Sequence, residues 1–510
     1  MKMVPAVALL SALVVAAGCA PKEAGIEAAS SDVMMKLPVT TASDAARQEF
    51  FEGTMAADMG RANDANTHFE KAVEADPAFA AGYLQVAATA ASTEKFSANL
   101  AKAVENAANA SRAEQLMIDV MQKGFENNTE SQLAAAQQLV EVQGDSPRAW
   151  LTLAGVQSGL NQISDARQSL AKAIELAPNF AAAHMQAGNN YMFLEPKDFV
   201  KAEEHFRKAI ELAPNEATPY DLMGDVHRAQ GKLEAAAEDY TMAAARAPED
   251  GSPLQQRGHV HSFLGNHDAA RADYTRAMEL ETAKGNNNAP FYAVFRSYVN
   301  IYEGKPEAAI AELREQVAAA DAMTVEGKTD IKINALTNIV QISLHYGDFA
   351  TARQAIDDLA VLLRQQADVV GKDQFRRGQE ATITYWEGML AARQGNVKGA
   401  KAKAQEFATL VEPDPNPRKL EPMHQIMGMA EYFQNNYAAA DEHLAAGNPN
   451  NIYMKYYRGL CQEKMGNADA AEAIFTELAT YNFNNVNYAM IRSDVLKAAG
   501  MEKPAATEGM

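Results

Sequence analysis

Residues 217–250 read ATPYDLMGDVHRAQGKLEAAAEDYTMAAARAPED, and this stretch decides the fold. Tyr220, Met223, Gly224 and His227 recur three and four apart, and so do Ala236, Tyr240 and Ala243, which puts each set on one face of a helix. Gly231 lies between the two sets, where a tight turn needs a left-handed residue. Pro248 ends the second helix because it cannot donate the next hydrogen bond. The unit is a helical hairpin. It recurs at a period of 34: residues 147–180 place Trp150, Leu153, Ala154, Ala166, Leu170, Ala173 and Pro178 at matching offsets. Residues 251–284 follow with Leu254, Gly258, His261, Gly265, Ala270, Tyr274 and Ala277.

Each residue type has a mechanical reason. Small residues at positions 8, 20 and 27 let helix backbones approach closely, and large ones at 4, 7 and 24 fill the space beside them. The marker set resembles the tetratricopeptide repeat, a family of antiparallel helix pairs stacked into a right-handed superhelix. Weaker copies cover residues 46–79 (Gly53, Gly60, Ala65, Phe69, Ala72, Pro77) and 181–216 (Gly188, Tyr191, Ala202, Phe206, Ala209, Pro214), the latter with two extra residues near Glu195 and Pro196. Residues 80–146 read as two degenerate copies. Beyond 284 the spacing changes. Turn-plus-alanine pairs recur at Gly304/Ala309, Gly347/Ala352, Gly395/Ala400, Asn435/Ala440 and Gly466/Ala471, separated by 43, 48, 40 and 31 residues.

The expected fold is all-α, a solenoid of about eleven repeats, with an N-terminal array over 46–284, a divergent array over 285–485 and a capping helix and tail over 486–510. Candidate breaks fall at 284–288, 323–330 and 412–417. Composition agrees. The 510 residues are 47% apolar but only 7% aromatic, and about 100 of them are alanine, which suits closely packed helices better than sheets.

With 46 basic and 66 acidic side chains the chain carries a net charge of -20, and no basic cluster is denser than Arg376-Arg377. Nothing there neutralises a row of phosphates, so a nucleic-acid partner is excluded. An acidic surface is also repelled by anionic lipid, so any membrane attachment must come from elsewhere. The N-terminus supplies it. Lys2, an apolar run from Val4 to Ala17 and then Gly18-Cys19 form a signal peptide over 1–18, too short to cross a bilayer, which needs about 20 residues. Its end resembles the lipobox of bacterial lipoproteins, in which the cysteine is lipidated and becomes the first mature residue. The resemblance implies a lipid anchor at Cys19, followed by a tether over 19–45, and Ala20 rather than Asp after the cysteine implies the outer membrane facing the periplasm. The family usually has Leu three residues before the cysteine; here it is Ala16. Cys461 is the other thiol and reads as a buried structural one.

No HExxH, phosphate loop, GxSxG or zinc-ligand spacing occurs, so neither an enzyme nor a cofactor nor a metal is expected. His259 and His261 point about 200° apart on a helix. His227 and His261 both fill position 11 of consecutive repeats and read as interior imidazoles, with a metal or pH-sensing pair as the sharper alternative.

What the tetratricopeptide resemblance implies is binding of peptides or proteins in a concave groove lined by the first helices. The groove positions carry Arg148, Leu151 and Gly155, then Gln186 and Asn189, then Asp221, Asp225 and Arg228, then Gln255 and His259. The subgroup that grips C-terminal carboxylates has Lys and Asn where this chain has Leu151/Gly155 and Asp221/Asp225, so that function does not carry over. Asp221 and Asp225, four apart, read either as a solvated acidic face or as a site for a basic segment. The expected function is an envelope scaffold whose partners are other envelope proteins or peptides, with no small-molecule substrate. The rival is a helical glycan-binding lipoprotein, disfavoured because Trp150 and Trp386 are the only tryptophans available to stack on sugars. Cys19→Ala is expected to move the protein from the membrane fraction to the soluble fraction; unchanged membrane retention would contradict lipidation.

Overall fold

A computed structural model describes residues 39–284, 289–323 and 327–501. The signal peptide, Cys19, most of the tether and the end of the tail lie outside the described residues, as do 285–288 and 324–326 from the first two candidate breaks. Among the described residues there are twenty-five α-helices and no strand. Successive helices pack in pairs, from Asp44–Asp58 with Ala62–Ala75 to Ile452–Lys464 with Ala468–Ala479, and a single helix, Val486–Ala498, follows the last of them. The degenerate stretch 80–146 holds two of these pairs, and the third candidate break is the turn between Val397–Val411 and Glu421–Tyr432.

Contacts divide the described residues into two compact units. One takes the described residues up to Val260 together with Arg276–Ala289, the other His261–Thr275 and the described residues from Pro290 onward. Within each unit a helix packs mainly on those before and after it. First helices of successive pairs also touch directly, as Pro147–Gly159, Ala181–Phe193 and Thr218–Ala229 do, which is the geometry of an array that curves with its first helices inside.

The small residues sit where two backbones meet. Ala154, Ala166, Ala173, Ala236 and Ala243 are completely buried, and so are Ala309, Ala352, Ala400 and Ala440 in the stretched C-terminal repeats. The glycine of the first helix is the closest approach. A Cβ on Gly224 would lie 2.6 Å from Cε1 of Tyr240, one on Gly53 would lie 2.7 Å from Phe69, and one on Gly459 would lie 2.7 Å from Phe475. In each case the ring comes from the second helix, sixteen residues later, and lies against the glycine. The turns are left-handed as their residues require: φ is 75° at Gly231, 73° at Gly304, 84° at Gly347, 71° at Gly395 and 65° at Asn435. Ser, Asp and Asn side chains cap several helices, among them Ser43, Asp198, Asp348 and Asn485.

The chain is pinned earlier than the expected tether, 19–45, would have it. The first helix starts at Asp44, and before it Thr40 donates from its backbone N to Oε1 of Glu114 at 2.8 Å and from its hydroxyl to Oε2 at 2.5 Å. Thr41 donates to Asp76 at 2.5 Å. Glu114 is buried and is already half of a capping box with Ser111, so it holds this segment and its own helix end together.

Alanine normally favours a helix over glycine by about 1 kcal/mol. Gly224→Ala is nevertheless expected to lower the thermal midpoint, at a cost of about 1–3 kcal/mol, because Tyr240 is fully buried and has no room to yield. Gly155→Ala should raise it, since the nearest atom to a Cβ there is Nε2 of Gln186 at an ordinary 3.7 Å. Thermal unfolding followed by circular dichroism compares the two, and equal signs would contradict the packing account.

Candidate functional site

The groove positions form a row along the first helices of the unit that holds the described residues up to Val260, but the row is not an open acidic surface. Asp221, Asp225, Arg228, Gln255 and His259 are buried, and Arg148, Gln186 and Asn189 are half-buried. Asp225 Oδ1 accepts from the Tyr240 hydroxyl at 2.7 Å and from Arg228 Nη2 at 2.5 Å, and Arg228 Nη1 donates to Gln256 at 2.9 Å. One carboxylate thus ties together both helices of its own pair and, through Arg228, the first helix of the next. Asp221 has no such cation to itself. Burial raises its pKa well above the usual carboxylate range, and the nearby charge of Asp225 raises it further. Asp221 and Asp225 are therefore neither a solvated acidic face nor a free dianion. One is paired, and the other is driven toward its protonated form.

The reason lies in contacts that a repeat pattern does not contain. The array bends until its first pair meets its fourth and sixth. Arg148 Nη1 donates to Asp58 Oδ1 at 2.8 Å, with a second contact from Nη2 to Oδ2, and its guanidinium lies 4.9 Å from the centre of the Phe180 ring. Thr218 donates its hydroxyl to the Met59 carbonyl at 2.7 Å, and Arg61 faces Glu216 at 3.7 Å. Asp58 ends the first helix, with Met59 and Arg61 in the turn after it, and the bonds from Arg148 and Thr218 reach back 90 and 159 residues, so no local signal points to them. Gln186 donates to the Leu151 carbonyl at 3.2 Å, bridging the first helices of two adjacent pairs. Asn189 Oδ1 is buried without a hydrogen-bond partner, the feature of this row that most invites a donor from outside.

His227 and His261, which share a repeat position, each face a carboxylate. His227 Nδ1 lies 2.6 Å from Asp239 Oδ2, and His261 Nε2 lies 3.8 Å from Asp273 Oδ2. His259 is buried against Gln255, with 2.7 Å between their Nε2 atoms, and burial lowers its pKa well below the ordinary value. Cys461 is buried too, which pushes its thiol up to about 12 and leaves it protonated and unreactive. Among the described residues no three or more His, Cys, Asp or Glu gather to hold a metal, and no helix is long and apolar enough to cross a membrane.

A family profile described as tetratricopeptide repeat matches residues 147–180 and 252–283. The chain therefore carries tetratricopeptide repeats, and its fold is an all-α solenoid of the tetratricopeptide type. Solved structures similar to it include MamA, 21% identical over 32% of this chain and 96% of that one with a TM-score of 0.28. Others are YrrB, described as a TPR protein with an unusual peptide-binding site (21% identity, 36% and 91% covered, TM-score 0.26), and a thermophilic TPR protein of Thermus thermophilus (19%, 43% and 99%, 0.28). No curated protein matches the chain.

Asp250 makes the row sensitive to pH. Burial raises its pKa to about 7, although its Oδ1 accepts from the Ser252 backbone N at 2.9 Å. Unfolded, the same carboxyl titrates near about 3.9, so between those values the folded chain holds a proton that the unfolded chain has released, and stability falls as pH rises from about 4 to about 7. Asp250→Asn keeps the acceptor for Ser252 and removes the titration. Its thermal midpoint relative to wild type should be higher at pH 8 than at pH 5; a pH-independent difference would contradict the assignment.

Proposed function

We propose that this chain is a lipid-anchored scaffold of a bacterial cell envelope, held to the outer membrane at Cys19 and binding other envelope proteins or peptides through its helical array. The observation that carries the binding role is the tetratricopeptide repeat itself, stacked in helix pairs whose fold is suited to protein–protein interaction rather than to chemistry. The anchor and the periplasmic address rest on the run from Lys2 to Cys19. A non-catalytic role fits the way the titratable groups are used: the buried carboxylate of Asp225 and the imidazole of His227 are each committed to a neighbour within the fold. The glycan-binding alternative gains no support from the tryptophans. Trp386 is buried, and Trp150 donates its Nε1 to the Gly144 carbonyl at 2.9 Å.

Asp221 and Asp225 do not give the inner face an open acidic patch. Asp225 and Arg228, and Asp58 and Arg148, are paired within the chain, so recognition falls to half-buried amides such as Gln186 and Asn189 and to the shape of the array. In-cell cross-linking from residues 147–284 followed by mass spectrometry should recover a small, reproducible set of envelope proteins, and Asn189→Leu should reduce their yield several-fold. Recovery of this chain alone would overturn the proposal, and saturable binding of oligosaccharides in calorimetry would favour the alternative.

A further inference from the structure

Two histidine pairs stand in the same register of two different repeats. In each, the fourth residue of the first helix faces the seventh residue of the second: His184 and His205 from Ala181–Phe193 and Phe199–Leu212, His424 and His443 from Glu421–Tyr432 and Tyr437–Ala445. Both pairs meet through Nδ1, at 3.3 Å and 3.1 Å. The surroundings differ.

His184 is buried, and its Nε2 lies 3.0 Å from the Pro178 carbonyl. A carbonyl only accepts, so Nε2 carries the proton, and Nδ1 of His184 must be the acceptor of a hydrogen from Nδ1 of His205. Tyr191 stacks on the His205 ring, Arg167 and Lys201 lie over Tyr191, and burial first, then the charges of Lys201 and Lys208, lowers the basicity of the pair. With His184 buried and its Nε2 committed to the Pro178 carbonyl, a pair with lysines beside it is a packing element. It repels a further positive ion.

His424 and His443 are both half-buried and within reach of solvent. Burial, and then the charge of His443, lowers the pKa of His424, so its lone pair is available at neutral pH. The charged groups linked to this pair are Glu431, on the same helix as His424, and Lys401, which is ion-paired to Glu431 at 2.9 Å. The Glu431 carboxyl is kept below the usual range by Asn436 and Lys401 and feels the charge of His443. Imidazole nitrogens bound to one divalent transition ion at about 2.0–2.1 Å lie about 2.9 to 3.4 Å apart when they are neighbouring ligands. The 3.1 Å between these two Nδ1 atoms falls within that window.

We propose that His424 and His443 form a two-imidazole clamp for a divalent transition-metal ion of the nitrogen-preferring class, such as Zn2+ or Cu2+. The ion replaces the shared hydrogen between the rings: the ring that donated it from Nδ1 takes up a proton on Nε2 instead, so both rings bind through Nδ1 and carry their hydrogen on Nε2. No third protein ligand stands within reach among the described residues, so water, or a donor from a docked chain, completes the coordination. The internal pair at His184 and His205 is the built-in control, with the same contact but with the charges of Lys208 and Lys201 acting on its rings.

The test uses the full chain freed of metal and titrated with ZnCl2 by calorimetry and with CuCl2 by electron paramagnetic resonance. One saturable Zn2+ site is expected, weakened at least tenfold by His424→Gln and by His443→Gln and unchanged by His205→Gln. The Cu2+ spectrum of the wild-type chain should show coupling to two imidazole nitrogens, a readout that needs no variant. Thermal midpoints of the His424 and His443 variants close to wild type would tie the loss to the ligands. Zn2+ binding that survives His443→Gln, equal loss in His205→Gln, or copper bound through oxygen or a single nitrogen would overturn the proposal.

Discussion

The contact on which the rest depends is a ring lying on a glycine. In the repeat at 217–250 the Tyr240 ring occupies the space that a Cβ on Gly224 would take, and the same pairing recurs with Gly53 and Phe69 and with Gly459 and Phe475. It brings the two helices of a pair close enough for buried alanines such as Ala236 and Ala243 to finish the contact. A larger residue at either position pushes the pair apart, and every later pair inherits the displacement, because each is positioned mainly by its neighbours. This is why so much alanine is needed. Its work is to be small where backbones meet, while the bulk of the core is carried by a few rings such as Tyr240, Tyr274, Phe69 and Phe206, all fully buried.

Polar groups make the second layer of specificity. A helix hairpin built from alanine and rings slides easily, and buried polar contacts remove that freedom because they are satisfied in only one register. Asp225, Arg228, Tyr240 and Gln256 do this in one unit. In the other, Asn484 donates to the Tyr274 hydroxyl at 3.2 Å and accepts from Tyr302 at 2.7 Å, while Arg393 donates to Tyr457 and to the His345 carbonyl, each at 2.6 Å. The bonds of this second set span from 48 to 210 residues. They convert stacks held by near neighbours into bodies with contacts between distant repeats.

Much of this was legible beforehand. The turn glycines and Asn435 were placed by their spacing from a following alanine, and each has the left-handed backbone such a turn requires. The divergent repeats after 284 were found by the same signal even though their helices run to 22 residues in Phe349–Val370, because the turn chemistry does not depend on helix length. The twenty-five helices among the described residues fit a solenoid of about eleven repeats followed by a closing helix. The groove was only half legible. Repeat position identified which residues share the inner face of the first helices, yet it carried no information about Asp58, Met59 and Arg61 folding back toward that face, and it gave Asp221 and Asp225 the same character when one is ion-paired and the other is not.

The sequence by itself determined the helix pair: where each helix starts and stops, which side of it is small, and where its ring must lie, since all of these follow from contacts within a single repeat. Only the tertiary structure decided which inner-face groups stay within reach of a partner, because that depends on curvature summed over many pairs, and a small angle at each junction brings residue 59 against residue 218. It also decided the fate of the charges. A carboxylate on a repeat position is acidic, neutral or paired according to what curvature sets beside it, and burial then turns that neighbourhood into chemistry.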